Sequence, residues 1–266
     1  MTLDRETRRA HPPDFDSYDD DAFDVPGAPS ALDAFVAEGW ISEVLHEVKS
    51  GKEATVYCCR AQPRAGVDLV AAKVYRSRHR RNFKNDAIYR KGRVIGEQRV
   101  RRAVERKTAF GREAHYGLWV GHEWATLSLL HAAGADLPRP VTCSSSAILM
   151  EYVGNVYDPA PVLNDVSLAP DDAHDLFTRI MRNVELWLAY NVVHGDLSAF
   201  NILWWEGNVT IIDVPQAVDP RVNPNARDLL ARDVDNVCRY FSRCGVRADP
   251  ARLAARLWTR FLHAEL

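Results

Sequence analysis

The segment from His194 to Asn201 combines a histidine, an aspartate and an asparagine at a fixed spacing, and a second aspartate follows at Asp213. Phosphoryl transfer needs a carboxylate near the attacking group and oxygen ligands that hold magnesium on the phosphates. Asp196 suits the first role, as a base or as an orienter of the nucleophile. Asn201 and Asp213 suit the second role, because magnesium prefers hard oxygen donors. The spacing therefore predicts a phosphoryl-transfer centre that uses ATP and Mg²⁺, with Mn²⁺ as a possible replacement.

The flanking sequence indicates how this centre is positioned. Val192–Val193 and Ile202–Leu203 are apolar pairs that we expect to anchor the loop between them, and the turn at Gly207–Asn208 should fold Asp213 back beside it. His194 is interpreted as a structural residue that braces the loop through hydrogen bonds. The alternative is a polar loop beside an acidic turn in an unrelated protein, but the complete pattern with its apolar flanks favours the catalytic interpretation.

Lys73 is a further candidate, because it lies in an apolar segment, 71–75, that is typical of a β-strand. A lysine in such a strand is costly to bury without an anionic partner. Glu123, within a segment of helical apolar spacing at 118–133, is the best candidate partner, and Glu113 is a weaker one. The alternative for Lys73 is a strand-edge position with its amine in water.

A turn before the second predicted strand occupies the place of a phosphate-covering hairpin but is poor in glycine. Its spacing differs from that of a Walker P-loop. Backbone N–H groups around Gly51, with the hydroxyls of Ser50 and Thr55, are predicted to contact phosphates, and the alternative is an ordinary β-turn. The predicted nucleotide-binding residues here are Ser50, Gly51, Lys52, Glu53, Ala54, Thr55 and Val56.

Hydrophobic periodicity predicts a strand-rich first half and a helical second half. Strands are expected at 41–48, 54–59, 69–75 and 147–153, with two short strands around the turn at 206–208. Helices are expected at 31–37, with Ser30 as the N-cap, and at 118–133, 170–190, 226–243 and 250–266. The pattern predicts an α+β fold with two lobes and a cleft between them. The predicted boundaries are a flexible acidic tail at 1–29, an N-lobe at 30–150, a hinge at 151–158 and a C-lobe at 159–266.

The composition of the 266-residue chain, with 47% apolar residues and a net charge of −2, is that of an ordinary globular protein. No apolar run approaches the roughly 18 residues that span a bilayer, so no membrane partner is predicted. The five cysteines lack zinc-binding spacing, which favours reduced thiols in a cytoplasmic protein. The strongly basic stretch at 78–112 is interpreted as a solvated, mobile face or as a contact surface for RNA phosphates.

Over roughly residues 41–243 the chain resembles the RIO family of atypical protein kinases. It is closer to the first-named subgroup than to the second, which carries an extra winged-helix domain. The resemblance rests on the segments 50–57, 72–75, 194–201 and 211–216. It implies a protein-kinase-like fold, a flexible loop at 78–112 before the glutamate-bearing helix, and a role in small-subunit maturation with ribosomal RNA or a pre-ribosomal particle as partner.

The resemblance also implies specific residue roles. Lys73, Asp196 and Asp213 would be catalytic, and Asn201 and Asp213 would be the metal ligands. Lys73 and Glu123 would form the lysine–glutamate pair that grips the phosphates. The backbone groups that meet the adenine would come from Glu151, Tyr152 and Val153.

Departures from ordinary protein kinases favour an ATP-driven switch. Gly195 stands where an arginine reads an activation-loop phosphate, Ser198 stands where a lysine neutralises phosphate, and Pro215 replaces a glycine whose flip it should disfavour. Residues 214–266 contain no Ala-Pro-Glu segment, so the C-lobe is predicted to lack the activation and substrate-binding segments. We therefore expect ATP hydrolysis and autophosphorylation, on Ser/Thr or on Asp213.

Two other functions share part of this pattern. Aminoglycoside and choline kinase-like enzymes use the same His-Gly-Asp-Leu-x-x-x-Asn spacing but usually carry long helical insertions. A non-catalytic nucleotide-binding scaffold would need a broken site, whereas Lys73, Asp196, Asn201 and Asp213 are all present.

Overall fold

The computed structural model describes residues 30–76 and 109–266, with residues 109–116 described by their backbone only. After a short helix, α1 (Ala31–Ala37), that Ser30 caps through its side chain, the chain enters an antiparallel sheet. The sheet order is β1-β2-β3-β5-β4. Its strands are β1 (Ile41–Ser50), β2 (Ala54–Ala61), β3 (Leu69–Tyr75), β4 (Pro140–Cys143) and β5 (Ala147–Glu151).

The central strand of this sheet, β3, carries Lys73. Lys73 pairs with Val56 of β2 on one side and with Ile148 of β5 on the other. Its backbone is therefore fixed by neighbours on both edges, and the side chain lies on the sheet face that points toward the rest of the molecule.

A long helix, α2 (Ala109–Ala132), connects the sheet to the helical half. Its buried residues Trp119, Val120, Leu127 and Leu130 belong to the same apolar core as the buried residues of the later helices. Because residues four apart share a helix face, Glu123 lies on the buried side between Trp119 and Leu127.

The second half is mainly helical and holds the larger part of the apolar core. It contains α3 (Pro170–Ala189), a hairpin of β6 (Ile202–Trp205) and β7 (Asn208–Ile211), α4 (Ala226–Arg243) and α5 (Pro250–Leu262). Residues 214–225 alone separate the candidate metal ligand Asp213 from α4. The α+β, two-lobed prediction is confirmed.

Several predicted boundaries are wrong. The helix predicted at 118–133 begins earlier, at Ala109, and so includes residues 109–112 of the basic stretch, of which Ala109 and Arg112 are good helix formers. β4 was not predicted; it is short and begins at Pro140, which only an edge strand tolerates. β1 runs on through Ser50, and α5 ends before the C-terminus. The predicted tail at 1–29 and the basic stretch over 78–108 lie outside the described residues.

Candidate active site

A cavity of about 480 Å³ lies between the sheet and the helical half. It is lined by most of the residues predicted for nucleotide and metal binding: Gly51, Lys52, Glu53, Ala54, Val56, Lys73, Glu123, Glu151, Tyr152, Val153, Asn201 and Asp213. Its size and its mixture of apolar walls with a few convergent polar groups are typical of a small-molecule site.

Lys73 joins the two halves of the molecule at this cavity. Its Nζ lies 2.6 Å from Oε1 of Glu123 and 2.6 Å from Oδ1 of Asp213. Burial alone would lower the pKa of a lysine, but the carboxylates of Asp213 and Glu123 outweigh it and hold the pKa of Lys73 well above its ordinary value. The lysine is therefore charged, and Glu123 is its helix partner, as predicted. The side chain of the weaker candidate, Glu113, is not described.

Asp213 is held in an unusual backbone conformation just after β7. Its φ of 68° lies in the left-handed region, which a non-glycine residue occupies only when its surroundings impose it. The preceding residue, Ile212, donates its N–H to the carbonyl of Asn201 at 2.9 Å. Burial tends to raise the pKa of the Asp213 carboxyl, but the Lys73 ammonium reverses this and keeps the pKa below its ordinary value. Asp213 therefore offers a carboxylate to the cavity.

His194 braces this arrangement as expected. It is 2% exposed, and its ring lies between the carbonyl of Ile212, at 3.3 Å from Nε2, and the backbone N–H of Asp196, which donates to Nδ1 at 3.3 Å. Burial lowers the pKa of His194 to about 4, so the ring is neutral near pH 7. A neutral ring that accepts at Nδ1 can donate at Nε2, which suits a structural role.

The loop between His194 and Asn201 presents Asp196 to solvent rather than to the cavity lining. Asn201 donates its amide to the carbonyl of Asp196 at 2.8 Å, and the same nitrogen is 3.5 Å from the Asp196 carboxylate. Partial desolvation and the charge of Asp213 raise the pKa of Asp196. The arrangement leaves a carboxylate of raised basicity next to the two candidate metal ligands.

Residues of α4, which the sequence analysis did not single out, hold the same loop from behind. The Asp233 carboxylate accepts the backbone N–H of Gly195 at 2.7 Å and that of Leu197 at 3.0 Å, on either side of Asp196. Arg232 donates to the carbonyl of Gly195. Burial raises the pKa of Asp233 to about 7, although these donors oppose the shift. A signal was present, because an aspartate at helical spacing between Leu230 and Val237 stands on an apolar face.

The residues predicted for the phosphate-covering hairpin lie partly inside and partly outside the cavity lining. Ser50 and Thr55 do not line the cavity; both hydroxyls accept hydrogen bonds from the Arg76 guanidinium, at 3.1 Å for Thr55. The N–H of Gly51 donates to the carbonyl of Ala54 at 2.9 Å and closes the turn. Antiparallel pairing of β2 with β3 brings Arg76 beside this turn. The Arg76 guanidinium therefore already donates to the hydroxyls of Ser50 and Thr55. Lys52 and Glu53 do line the cavity.

The predicted hinge residues Glu151, Tyr152 and Val153 line the cavity together with apolar side chains. Glu151 ends β5 and donates its N–H to Arg139 at 2.8 Å, and Tyr152 donates to Leu69 at 3.3 Å. Within the described part of the chain, no hydrogen bond uses the N–H of Val153. Apolar wall residues that the sequence did not reveal are Val48, Ala71, Leu127, Leu137, Met150, Val162, Leu203 and Ile212. An apolar slot beside a Val153 N–H that has no acceptor among the described residues suits an aromatic heterocycle.

The polar end of the cavity also fits a magnesium ion. In the described residues the second carboxylate oxygen of Asp213 and the side-chain carbonyl of Asn201 accept no hydrogen bond, and both residues line the cavity. Two hard oxygen donors suit Mg²⁺, which is usually bound by one or two protein ligands together with substrate phosphates and water. Among the same residues, no three His, Cys, Asp or Glu side chains are grouped to hold a metal ion by themselves.

Comparison with known proteins supports the kinase-like assignment. The family model of the RIO domain matches residues 55–253. The chain is 31% identical over 227 residues to the RIO-type serine/threonine-protein kinase Rio1 of Haloferax volcanii, and the match covers 83% of this chain and 70% of the archaeal protein. It is 30% identical over 228 residues to human serine/threonine-protein kinase RIO1, a match that covers 85% of this chain but only 38% of the human protein.

A solved structure shares the fold. The Rio2 kinase of Chaetomium thermophilum, in an ADP/Mg²⁺-phosphoaspartate complex, superposes with a TM-score of 0.60 over 88% of this chain and 69% of its own, at 22% identity. Among the described residues, no helix is both long enough and apolar enough to cross a membrane. The extent of the family match and the identity to the archaeal relative show that the chain belongs to the RIO family of atypical serine/threonine kinases.

Proposed function

We propose that the chain binds Mg-ATP in the cavity and transfers the terminal phosphoryl group in a RIO-type kinase and ATPase cycle. The observation that carries this proposal is the position of Lys73, 2.6 Å from both Glu123 and Asp213 at the polar end of the cavity. A largely buried ammonium between two carboxylates, with a third N–H left to donate, can bind a phosphate oxygen at this end of the cavity.

We assign each part of the nucleotide to residues that line the cavity. The adenine lies in the apolar slot and accepts from the N–H of Val153, while Lys73 donates to the phosphates. Asn201 and Asp213 hold Mg²⁺, which neutralises the charge that develops on the phosphates when bound. Asp196 orients the attacking group, or accepts the proton of an attacking hydroxyl or water, because its raised pKa gives it more basic character than an ordinary aspartate.

The acceptor is the finer part of the proposal. The Chaetomium thermophilum relative was solved with a phosphoaspartate, and we propose that Asp213 takes the phosphoryl group here. Its carboxylate oxygen would attack the terminal phosphorus, ADP would leave, and water would later hydrolyse the acyl phosphate. Gly195, Ser198 and Pro215 support this reading, because they lack the features that ordinary kinases use for a regulated peptide acceptor. Autophosphorylation on Ser/Thr is the second outcome that we expect.

Labelling with ATP that carries a radioactive terminal phosphate tests both the ATP turnover and the proposed acceptor, Asp213. Wild-type protein with Mg²⁺ should turn over ATP and retain a label that hydroxylamine removes, and Asp213→Ala should abolish that label. Asp196→Ala should reduce turnover at least hundredfold, since general acid–base groups contribute roughly 10²- to 10⁴-fold. Asp219→Ala is the matched control and should behave like wild type, because among the described residues the side chain of Asp219 pairs with Arg221 alone, at the surface. An Asp213→Ala protein that labels normally would contradict the acyl-phosphate route.

The partner proposal rests on charge and on the family. We propose that the basic stretch at 78–112 contacts ribosomal RNA or a pre-ribosomal particle in the cytoplasm. Binding of a ribosomal RNA fragment should then weaken steeply as salt is raised from about 50 to 200 mM, because each neutralised phosphate releases counterions. A salt-independent or undetectable interaction would contradict this proposal and leave the ATP chemistry untouched.

A further inference from the structure

A third side chain completes the Lys73–Glu123 pair. Tyr75, which is 5% exposed, donates its hydroxyl to Oε2 of Glu123, while Lys73 donates to Oε1 at 2.6 Å. Each oxygen of this carboxylate thus has its own donor. The lysine–glutamate pair alone would satisfy only one of them.

The β3 strand explains why Tyr75 reaches this position. Side chains two residues apart on a strand lie on the same face, so Lys73 and Tyr75 both point toward α2. The Lys73 Nζ lies 5.3 Å from the centroid of the Tyr75 ring, which therefore contacts both charged partners. Tyr75 also pairs with Ala54 across the sheet, beside the turn of the phosphate hairpin.

Two-point contact fixes a carboxylate that would otherwise rotate. The last torsion of a glutamate has a broad energy profile, so one hydrogen bond leaves its plane poorly defined. Glu123 is 3% exposed, and an oxygen without a donor there would carry the cost of burial without compensation. Burial and the neighbouring Glu123 carboxylate raise the pKa of Tyr75 well above its ordinary value, so the phenol remains a donor throughout the neutral range.

Lys73 divides its N–H groups between Glu123 and Asp213, and in the proposed function it must also donate to the phosphates. Each change of partner by Lys73 would release Glu123 if nothing else held it. We infer that Tyr75 is a positioning residue, whose hydroxyl keeps the Glu123 carboxylate facing Lys73 and so sets where the lysine amine meets the phosphates. This inference rests on the proposed function.

The test is a double-mutant cycle on ATP turnover. Tyr75→Phe, which removes only the hydroxyl, should lower kcat about tenfold, as expected for the loss of one hydrogen bond to a charged group, while KM for ATP changes less than threefold. In a Glu123→Ala background, the same substitution should lower kcat less than twofold further, because its target is gone. Glu123→Leu, which fills the buried site without an oxygen that could accept from Tyr75, serves if the alanine variant does not fold.

Tyr240→Phe is the matched control. Tyr240 is also buried and donates its hydroxyl at 2.7 Å, but to the backbone carbonyl of Leu163, so its loss should change kcat less than twofold. A urea-unfolding cycle on Tyr75 and Glu123 needs no activity and should show a coupling of about tenfold in the unfolding equilibrium.

The outcomes separate the two proposals. Wild-type protein without ATP turnover contradicts the proposed function, and the urea cycle then still reports whether Tyr75 and Glu123 are coupled. In an active protein, an unchanged kcat for Tyr75→Phe, or effects of Tyr75 and Glu123 that simply add, would overturn the inference for Tyr75. Coupled unfolding with additive turnover would assign Tyr75 a structural role only and would overturn it as well.

Discussion

Gly154 follows the candidate adenine-binding residue Val153, and its replacement by alanine should distort the hinge. Its φ of 135° lies in a region that L side chains rarely adopt. A Cβ at this position would lie 2.5 Å from the carbonyl oxygen of Asp158, 2.9 Å from the nitrogen of Ala160 and 3.0 Å from Cα of Pro159. All three are backbone atoms, so no side-chain rotation can relieve the overlap and the chain itself must move.

The magnitude follows from two separate costs. An L residue forced into such a φ costs about 1–3 kcal/mol, and forcing an extra carbon into packed surroundings costs about 1–3 kcal/mol. We therefore expect Gly154→Ala to lower the free energy of unfolding by about 4 kcal/mol. Gly207→Ala is the matched control, because Gly207 has a φ of 79° in the β6–β7 turn and its Cβ would meet nothing within 4 Å. That change carries only the conformational cost, about 1–2 kcal/mol.

Urea unfolding of both variants and binding of Mg-ATP by calorimetry give the two readouts. Displacement of the hinge should remove the hydrogen bond from the N–H of Val153 and raise the Kd for ATP roughly fivefold, which corresponds to about 1 kcal/mol. Gly207→Ala should bind ATP like wild type. Equal losses of unfolding free energy in the two variants would refute the steric reasoning, and an unchanged Kd in Gly154→Ala would refute the proposed adenine position.

Three further predictions concern groups around the site. Asp233→Asn should lower the rate of ATP turnover about ten- to hundredfold in a folded protein, because Gly195 and Leu197 donate to separate carboxylate oxygens and asparagine would turn an NH2 donor toward one of these N–H groups. Full activity in a turnover assay would contradict this. The pKa of His194 falls from 6.5 to about 4 on folding, so the folded state binds fewer protons than the unfolded state between these pH values. The stabilisation that the neutral histidine provides above pH 6.5 is therefore lost as the pH falls toward 4. Relative to His194→Asn, wild type should lose about 3 kcal/mol of unfolding free energy over that interval, and parallel pH profiles would contradict the buried neutral histidine. Arg179→Ala removes two hydrogen bonds to Asp136, at 2.8 and 2.9 Å, and one to Asn208 at 2.9 Å, and should lower the unfolding free energy by about 1–2 kcal/mol in urea. Arg182→Ala on the exposed side of the same helix should have little effect, and equal losses in the two variants would show that the contacts of Arg179 are not stabilising.

The helical and strand periods, and the residues at turns, are local properties of the sequence. They sufficed to predict the central strands, the α3 and α4 helices and the β6–β7 hairpin. The pattern from His194 to Asp213 was equally local, because a short loop and one hairpin bring Asn201 and Asp213 together. The pairing of Lys73 with Glu123 could be predicted only as a candidate, since nothing local joins residues that lie on different elements.

Tertiary packing decided the remainder. Glu123 is selected as the partner because the buried face of α2 turns toward β3, and Tyr75 completes the pair because strand alternation places it beside Lys73 on that face. Ser50 and Thr55 are turned to Arg76 rather than to the cavity by the register of β2 on β3. Asp233 reaches the loop around Asp196 only because α4 packs behind it. The sequence by itself therefore determined which residue types can perform phosphoryl transfer, and the fold determined which groups hold them in place, because those contacts join parts of the chain far apart in sequence.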